Sequence, residues 1–197
     1  MVAVVWWRID IKGRNNIPSH GAFLLCPVHR SNIDGPLTAI FTGRRMKYLA
    51  KYELFKVAPL GWLFTAMGAI SVNRGVPDRV SLKTCLEVLE EGHPLVLFPE
   101  GARRDGPVVE RVQEGATYLA LKAGVPVVPV GISGSEEANP RRTIFLRPVK
   151  LRVVIGEPIR LDVTGESVAR SAVREGSELI RSRLQELFDE ASKKSVA

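Results

Sequence analysis

Cysteine is scarce in this chain of 197 residues, which has two, Cys26 and Cys85, both in apolar surroundings. Two cysteines form no disulfide framework, and their scarcity favours a reducing compartment. Cys26 lies close to His29, but two further ligands at a suitable spacing are missing, so we predict no metal site. Glycine-rich nucleotide-binding loops are missing as well, because neither a G-x-G-x-x-G nor a Walker sequence occurs.

Long apolar runs are also missing. The longest stretch without a charged residue covers residues 57–73. It is shorter than the roughly 20 apolar residues that a spanning helix needs, so we predict no transmembrane helix. Residues 1–7 are apolar but lack a basic region and a cleavage site, and we predict no signal peptide. Residues 54–67 fit either a buried core helix or a helix that enters the bilayer interface with Trp62 and Phe64 as anchors.

Charge of one sign is in surplus. The chain carries 28 Lys and Arg against 21 Asp and Glu, a net charge of +7. A basic surplus indicates an anionic partner, either nucleic acid, an acidic membrane surface or a phosphorylated substrate. The basic residues are scattered, without interleaved aromatic residues on a stacking surface, so we predict no nucleic-acid partner.

Alternating strand and helix patterns predict the fold class. Seven short apolar runs bounded by turn residues predict strands at 8–12, 22–26, 46–50, 69–72, 94–98, 127–132 and 150–155. Helices are predicted from the N-cap Asp78 to Gly92, over 114–123, and over about 167–194, where the helix is amphipathic. We therefore predict one α/β domain over residues 1–197, with a layered, largely parallel mixed sheet flanked by helices.

The first set of reactive side chains follows the second predicted strand, where His29 and Asp34 form an H-x4-D pattern. A helix would turn these side chains apart, but a strand-to-helix loop allows the carboxylate to reach the imidazole. Asp34 would then fix the ring tautomer and stabilise the imidazolium, leaving the other nitrogen to accept a proton. The alternative is a helix cap by Ser31, Asn32 or Asp34, with Pro36 in the first turn.

Arginine follows two further predicted strands. Arg74 ends a segment that begins at Gly68, and the sequence Phe-Pro-Glu-Gly-Ala-Arg ends at Arg103. Arginine presents a forked, permanently charged donor set that matches phosphate oxygens. Gly101 allows the backbone to approach a ligand closely. Taken singly, each arginine is equally well explained as solvated surface charge.

These patterns occur in a family order. H-x4-D is followed by the glycine-to-arginine segment 68–74, by F-P-E-G-A-R at 98–103, and by V-P-V-V-P-V at 125–130. Together they resemble the four blocks of the glycerolipid acyltransferase family, whose members include 1-acylglycerol-3-phosphate acyltransferases. The resemblance covers residues from about 9 to about 158, the implied core, and it implies a glycerol-3-phosphate acyltransferase-like fold.

The resemblance implies an enzyme of phospholipid biosynthesis that moves a fatty acyl group from a thioester to the hydroxyl of a phosphorylated acceptor. The implied catalytic pair is His29 and Asp34. The implied phosphate-binding set, in which two arginines hold the phosphate and their neighbours shape its site, is Arg74, Arg103, Glu100 and Gly101. The implied supporting residues are Gly68, Pro99 and Pro129. Acyl-CoA or acyl-ACP serves as co-substrate, and no cofactor or metal is implied.

The chain departs from the family pattern beside the motifs, which leaves the acceptor open. Val28 stands where the family often has asparagine, and Ala102 replaces a hydroxyl residue. Lysophosphatidate is the leading candidate for the acceptor, and glycerol 3-phosphate or another lysolipid or glycolipid is the alternative. A thioesterase or esterase with the same His–Asp pair is a further alternative. We expect a peripheral or monotopic enzyme on the cytoplasmic side of the membrane, where residues 1–7 are either the end of a membrane-contacting helix or an edge strand.

Overall fold

The computed structural model describes residues 6–51, 55–56, 58–66, 68–72, 78–141, 143, 145–162 and 168–193. Within these ranges the strands are β1 Asp10–Lys12, β2 Leu24–Pro27, β3 Lys47–Lys51, β4 Ala69–Val72, β5 Leu95–Val96, β6 Val127–Ser133 and β7 Arg152–Ile155. They form one sheet in the order β1-β7-β6-β2-β5-β3-β4. Neighbouring strands are parallel except for the antiparallel pair β6–β7. The predicted α/β class with a largely parallel mixed sheet is confirmed.

Apolar runs form the central strands. Every residue of β2 is buried, and so is every residue of β6 except the last. Such uninterrupted apolar runs are typical of strands that are covered on both faces. All seven predicted strands are present, and their ends differ from the predicted ones by at most two residues. Residues 6–7 precede β1 and are not part of this edge strand, while residues 1–5 lie outside the described ranges.

Helices connect the strands. In the described ranges they are α1 Asp34–Thr42, α2 Ala58–Ala66, α3 Asp78–Glu90, α4 Glu114–Ala123, α5 Ser135–Ala138 and α6 Arg170–Ser192, and a 3₁₀ turn covers Arg14–Asn16. The bounds predicted for α4 are confirmed, and α6 lies inside its predicted range. Asp78, the predicted N-cap of α3, is the first residue of that helix. The short helix α5, which begins shortly after β6, is not among the predicted helices.

The amphipathic pattern of α6 places that helix on the sheet. Its apolar stripe, including Val173, Ile180, Leu184 and Phe188, is buried. Full burial of one such side chain stabilises a fold by roughly 1.5–3 kcal/mol. The helix approaches β6 so closely that a Cβ atom at Gly131 would lie 2.3 Å from the carbonyl oxygen of Leu187. A side chain at this position would separate the helix from the sheet.

The helix α2 lies within residues 54–67, for which the sequence allowed either a buried core helix or a helix at the bilayer interface. Trp62 is 75% exposed, whereas Gly61 on the same helix is buried. The prediction of a buried core helix is therefore wrong for the face that carries Trp62. The side chain of Phe64, the second predicted anchor, lies outside the described part of the structure. Among the described residues, no helix combines the length and the apolar character needed to cross a bilayer.

One edge of the sheet collects the loops that carry the sequence motifs. The strands β6, β2 and β5 are adjacent and mutually parallel. Their carboxyl ends therefore point in the same direction, and the loops that leave them meet at a single edge. Binding sites of open α/β sheets form at this edge.

Candidate active site

The loop that leaves β2 brings His29 and Asp34 together. Nδ1 of His29 lies 3.1 Å from Oδ2 of Asp34, although no helix connects the two residues. The His29 side chain is 19% exposed and that of Asp34 is fully buried. An imidazole held through Nδ1 can use Nε2 as a base toward a bound hydroxyl group. The structure thus shows the fold-back that the H-x4-D spacing allowed.

The Asp34 carboxylate organises this loop and does not cap a helix. Its Oδ2 atom accepts hydrogen bonds from the backbone N–H groups of Arg30, at 2.7 Å, and Ser31, at 2.6 Å. Both donors precede α1, whose N-cap is Ile33 and has no side-chain capping bond. The alternative prediction of a helix cap is therefore wrong. Two main-chain donors hold the carboxylate in the position from which it contacts His29.

The loop that leaves β5 covers the same histidine. The ring of Phe98 stacks on the His29 imidazole, with the ring centroids 4.0 Å apart. The backbone N–H of His29 donates to Oε2 of Glu100 at 2.7 Å. The backbone N–H of Arg104 donates to the His29 carbonyl at 2.9 Å. The F-P-E-G-A-R motif therefore lies against the H-x4-D motif.

Glu100, which the resemblance placed in the phosphate-binding set as a residue that shapes the site, lies behind His29 and does not face a ligand. Its side chain is fully buried, and both carboxylate oxygens accept from Nη1 of Arg30, at 2.7 and 2.8 Å. A buried carboxylate that is already paired with a guanidinium group offers no donor to a phosphate. Glu100 shapes the site from inside by holding the backbone of His29.

Gly101 and Arg103 occupy the outer part of this loop. Gly101 has a φ of 71°, and a Cβ atom there would lie 2.6 Å from the side-chain nitrogen of Gln113. Glycine meets both constraints, because the left-handed region is costly for other residues. The half-buried Arg103 follows two residues later, and its carbonyl accepts from Arg141 at 2.6 Å. Its side chain thus leaves a loop that is anchored on the neighbouring segment.

The remaining predicted residues occupy different places. Arg74 lies outside the described residues and follows the last residue of β4 by two positions in the sequence. Gly68 precedes β4 at the opposite edge of the sheet, where a Cβ atom would lie 2.4 Å from the carbonyl oxygen of Met46. Pro99 is buried, and its carbonyl accepts from Gln113 N–H at 2.7 Å. Gly68 and Pro99 thus support the backbone.

Pro129 lies inside β6 and pairs in register with Cys26 of β2. Its carbonyl accepts from the backbone N–H of Gly156 at 2.9 Å, on the side away from β2. The N–H and C=O groups of a strand residue point to the same side, so the missing N–H of proline also lies on the side away from β2. The pairing with β2 is therefore kept, and the next residue, Val130, accepts from Val28 N–H at 3.0 Å.

Sequence reasoning missed Arg30, Asn139 and Arg141. Arg30 is 2% exposed, whereas arginine is almost never fully buried without a partner. Its partner is 70 residues away, so no local pattern indicated the pair. The main-chain carbonyl of Asn139 accepts a hydrogen bond of 3.1 Å from the Ser31 hydroxyl. The one available signal for the ion pair was the presence of a cation, Arg30, within the H-x4-D motif and of an anion, Glu100, within the F-P-E-G-A-R motif.

Cysteine does not supply a nucleophile beside His29. Burial raises the pKa of the Cys26 thiol from 9.0 to about 12. A thiol with this pKa is protonated and unreactive at neutral pH. Among the described residues, no cluster of three or more His, Cys, Asp and Glu side chains is arranged to hold a metal ion.

The fold and the site together define an α/β protein in which a buried carboxylate orients a histidine next to an arginine-bearing loop. The chain belongs to the acyltransferase family, because the family model described as Acyltransferase matches residues 8–133. This finding confirms the resemblance seen in the sequence motifs.

Individual relatives agree with this assignment. The chain is 31% identical, over 88% of its length, to 1-acyl-sn-glycerol-3-phosphate acyltransferase LPAT1, chloroplastic, of Arabidopsis thaliana, and spans 50% of that protein. A Bacillus subtilis 1-acyl-sn-glycerol-3-phosphate acyltransferase is 24% identical, and the chain spans 87% of it. The crystal structure of the 1-acyl-sn-glycerophosphate (LPA) acyltransferase PlsC from Thermotoga maritima superposes with a TM-score of 0.79 at 27% identity. It matches 98% of this chain, which covers 78% of that structure. The chain spans about half the length of the plant relatives.

Proposed function

We propose that this protein transfers a fatty acyl group from an acyl thioester to the free hydroxyl of lysophosphatidate, a step of phospholipid biosynthesis. The observation that carries the proposal is the contact of 3.1 Å between Nδ1 of His29 and the buried Asp34 carboxylate. The names of the relatives supply the substrate class, because several are called 1-acyl-sn-glycerol-3-phosphate acyltransferases.

The proposed reaction needs no acyl-enzyme. Nε2 of His29 takes the proton of the acceptor hydroxyl, and the oxygen attacks the thioester carbonyl. A new C–O bond forms, the C–S bond breaks, and the departing sulfur takes the proton back from the imidazolium. Asp34 stabilises the imidazolium between these two transfers. Because a thiol leaves readily, the proposal includes no metal and no cofactor. The acyl donor, acyl-CoA or acyl-ACP, is a co-substrate.

The acceptor phosphate is assigned to Arg103 and Arg74 in this proposal. Support for Arg103 comes from its loop, which contacts the His29 backbone through the adjacent Arg104. Arginine suits a phosphate because its forked donors match phosphate oxygens. The role of Arg74 rests on its position in the family motif alone. Gly101 provides a turn in the loop that carries Arg103.

We also propose that the enzyme works on the cytoplasmic face of a membrane as a peripheral or monotopic protein. Large apolar side chains reach the surface at Trp6, Trp62 and Phe145, which are 50%, 75% and 77% exposed. Exposed aromatic residues on a protein with a net charge of +7 suit an interface with anionic lipids. Co-sedimentation with vesicles of phosphatidylglycerol, compared with phosphatidylcholine vesicles, tests this placement, and equal absence from both pellets contradicts it.

The decisive test of the activity replaces His29 by alanine. With labelled palmitoyl-CoA and oleoyl lysophosphatidate, we expect phosphatidate formation to fall by about 10²- to 10⁴-fold, the usual contribution of a general base. The exposed His20 is the matched control, and His20→Ala should keep full activity. Circular dichroism checks that both variants are folded.

Near-normal turnover in His29→Ala would refute the assignment of His29 as the general base. The acceptor requirement distinguishes transfer from hydrolysis. Release of free fatty acid that does not depend on lysophosphatidate would indicate a thioesterase instead. An acceptor panel that includes glycerol 3-phosphate and lysophospholipids identifies the preferred alcohol.

A further inference from the structure

The guanidinium group of Arg30 joins two loops of the candidate active site. Besides Glu100, it contacts two main-chain carbonyls of the segment that follows the F-P-E-G-A-R motif. Nε donates to the Gly106 carbonyl at 3.0 Å, and Nη2 donates to the Val108 carbonyl at 3.1 Å. The ring of Phe188, on α6, lies 4.9 Å from the guanidinium carbon. One side chain therefore connects the loop after β2, the loop after β5 and the long helix.

These contacts converge on the backbone of His29. Oε2 of Glu100 accepts from both Arg30 and the N–H of His29, and the His29 carbonyl accepts from Arg104 N–H. The loop that holds His29 on both sides is thus the loop that Arg30 tethers. The same loop carries Arg103, the residue assigned to the acceptor phosphate.

Stability alone is a weak explanation for this arrangement. The Arg30 and Glu100 side chains are 2% and 0% exposed, so both charges have lost their hydration. The attraction in a buried ion pair often does no more than offset this desolvation, and well-packed apolar residues would stabilise the fold as well. What an apolar pair would lose is the directional set of hydrogen bonds that fixes one loop against the other.

We propose that Arg30 is a positioning residue that sets the separation between the base, His29, and the phosphate-binding side chain of Arg103. The inference rests on the proposed function, because it assigns a purpose to the distance between base and phosphate site. A displacement of about 1 Å between reacting groups can lower a rate by about 10²-fold. Arg30 acts through the two loops and does not contact the substrate.

Arg30→Lys tests the inference, because lysine keeps a positive charge opposite Glu100 but has a single ammonium group that does not reproduce the planar fork. The matched control is Arg44→Lys. Arg44 donates to two main-chain carbonyls, those of Pro18 and Gly21, both at 2.9 Å, and lies 5.3 Å from the ring centre of Phe23. It thus has the same kind of contacts away from the site.

In Arg30→Lys we expect kcat/KM for oleoyl lysophosphatidate to fall by about 10- to 100-fold, with KM for palmitoyl-CoA unchanged. Arg44→Lys should keep both values at the parent level. If Arg30 and Arg44 both serve only to stabilise the fold, the KM values stay unchanged and the fraction of active protein falls in both variants. Either that result or an equal kinetic loss in the control overturns the inference. If Arg30→Lys does not fold, Arg30→Met combined with Glu100→Gln removes both charges and keeps an acceptor for His29 N–H.

Hydrogen exchange provides a measurement that is independent of activity. In Arg30→Lys, peptides covering 29–34 and 98–108 should exchange faster, while a peptide covering 114–123 should match the parent. Unchanged exchange in both loops overturns the inference. If the parent protein transfers no acyl group, the proposed function fails, and exchange that quickens in these two loops alone still supports the tether.

Discussion

The His29 imidazole and the Phe98 ring are stacked at a centroid distance of 4.0 Å and an interplanar angle of 26°. The two side chains come from loops that leave different strands, β2 and β5. Asp34 holds the edge of the imidazole through Nδ1, and Phe98 covers its face. Together they leave the ring little freedom to turn its Nε2 atom away from an acceptor.

Phe98→Leu is expected to lower kcat by about tenfold, because an aromatic pair contributes about 0.5–1.5 kcal/mol beyond its buried area. Leucine retains most of the apolar contact but does not restrain the imidazole by stacking. Steady-state kinetics measure the effect, and urea unfolding reports any loss of stability. Phe98→Tyr, which keeps the stack, is the control. A kcat for Phe98→Leu equal to that of the parent would show that the stack does not restrain the base.

Asp34→Asn isolates the charge of the carboxylate. Oδ1 of Asp34 is buried without a hydrogen-bond partner in the described structure, so an amide nitrogen fits there without breaking an existing bond. The amide oxygen can still accept from the N–H groups of Arg30 and Ser31. We expect a folded protein whose kcat is lower by about 10³-fold or more, because the imidazolium loses its counter-charge. Asp105→Asn, at an exposed carboxylate, should be fully active, and full activity in Asp34→Asn would remove Asp34 from the mechanism.

Arg103→Gln is expected to raise KM for lysophosphatidate by about 10- to 100-fold, the effect of losing a hydrogen bond between charged groups worth about 1.5–3 kcal/mol. KM for acyl-CoA should stay constant, because the donor carbonyl does not need this charge. The neighbouring exposed Arg104 provides the control, Arg104→Gln. An equal rise in KM for both substrates in Arg103→Gln argues against a phosphate role for this residue.

Gly176→Ala tests the packing between α4 and α6. A Cβ atom at Gly176 would lie 2.6 Å from Cγ2 of Thr117. We expect a loss of about 1–3 kcal/mol in the free energy of unfolding, as is usual for overpacking. Thr117→Ser removes the clashing methyl group and keeps the hydroxyl that lies 2.7 Å from Ser177. Urea unfolding of both single variants and the double variant should show most of the loss recovered, and simple additivity would refute the clash.

Alkaline pH should destabilise the protein through Cys26. Its pKa is about 12 in the folded state against a usual 9.0, so between these values the unfolded chain releases a proton that the folded chain retains. The free energy of unfolding therefore falls as pH rises above 9.0. Burial also raises the pKa of Tyr48, which adds a decline of the same sign. Urea unfolding at several alkaline pH values should show a shallower decline in Cys26→Ala, and an identical slope contradicts the assignment to this thiol.

Much of the fold could be predicted because strands and helices have local signatures. The seven apolar runs, the helix ending before Gly124 and the amphipathic C-terminal helix each depend on residues that are close in the chain. The strand ends were less accurate, by up to two residues at β1, β2, β5 and β7, because side chains alone do not determine which backbone groups find partners. The short helix α5 was missed, since a single turn has no periodic pattern to detect.

The amino-acid sequence by itself determined the seven strands and the two motif loops, because each rests on residue types at short spacing. The spacing of His29 and Asp34 left a catalytic pair and a helix cap open, and only the order of the family motifs favoured the pair. Tertiary structure alone decided that β5 lies beside β2, which places Phe98 on His29 and Glu100 beneath it. It also decided that Arg30 is buried. The physical reason is that a charge 70 residues from its partner has no local signature, and the order of the strands brings the two together.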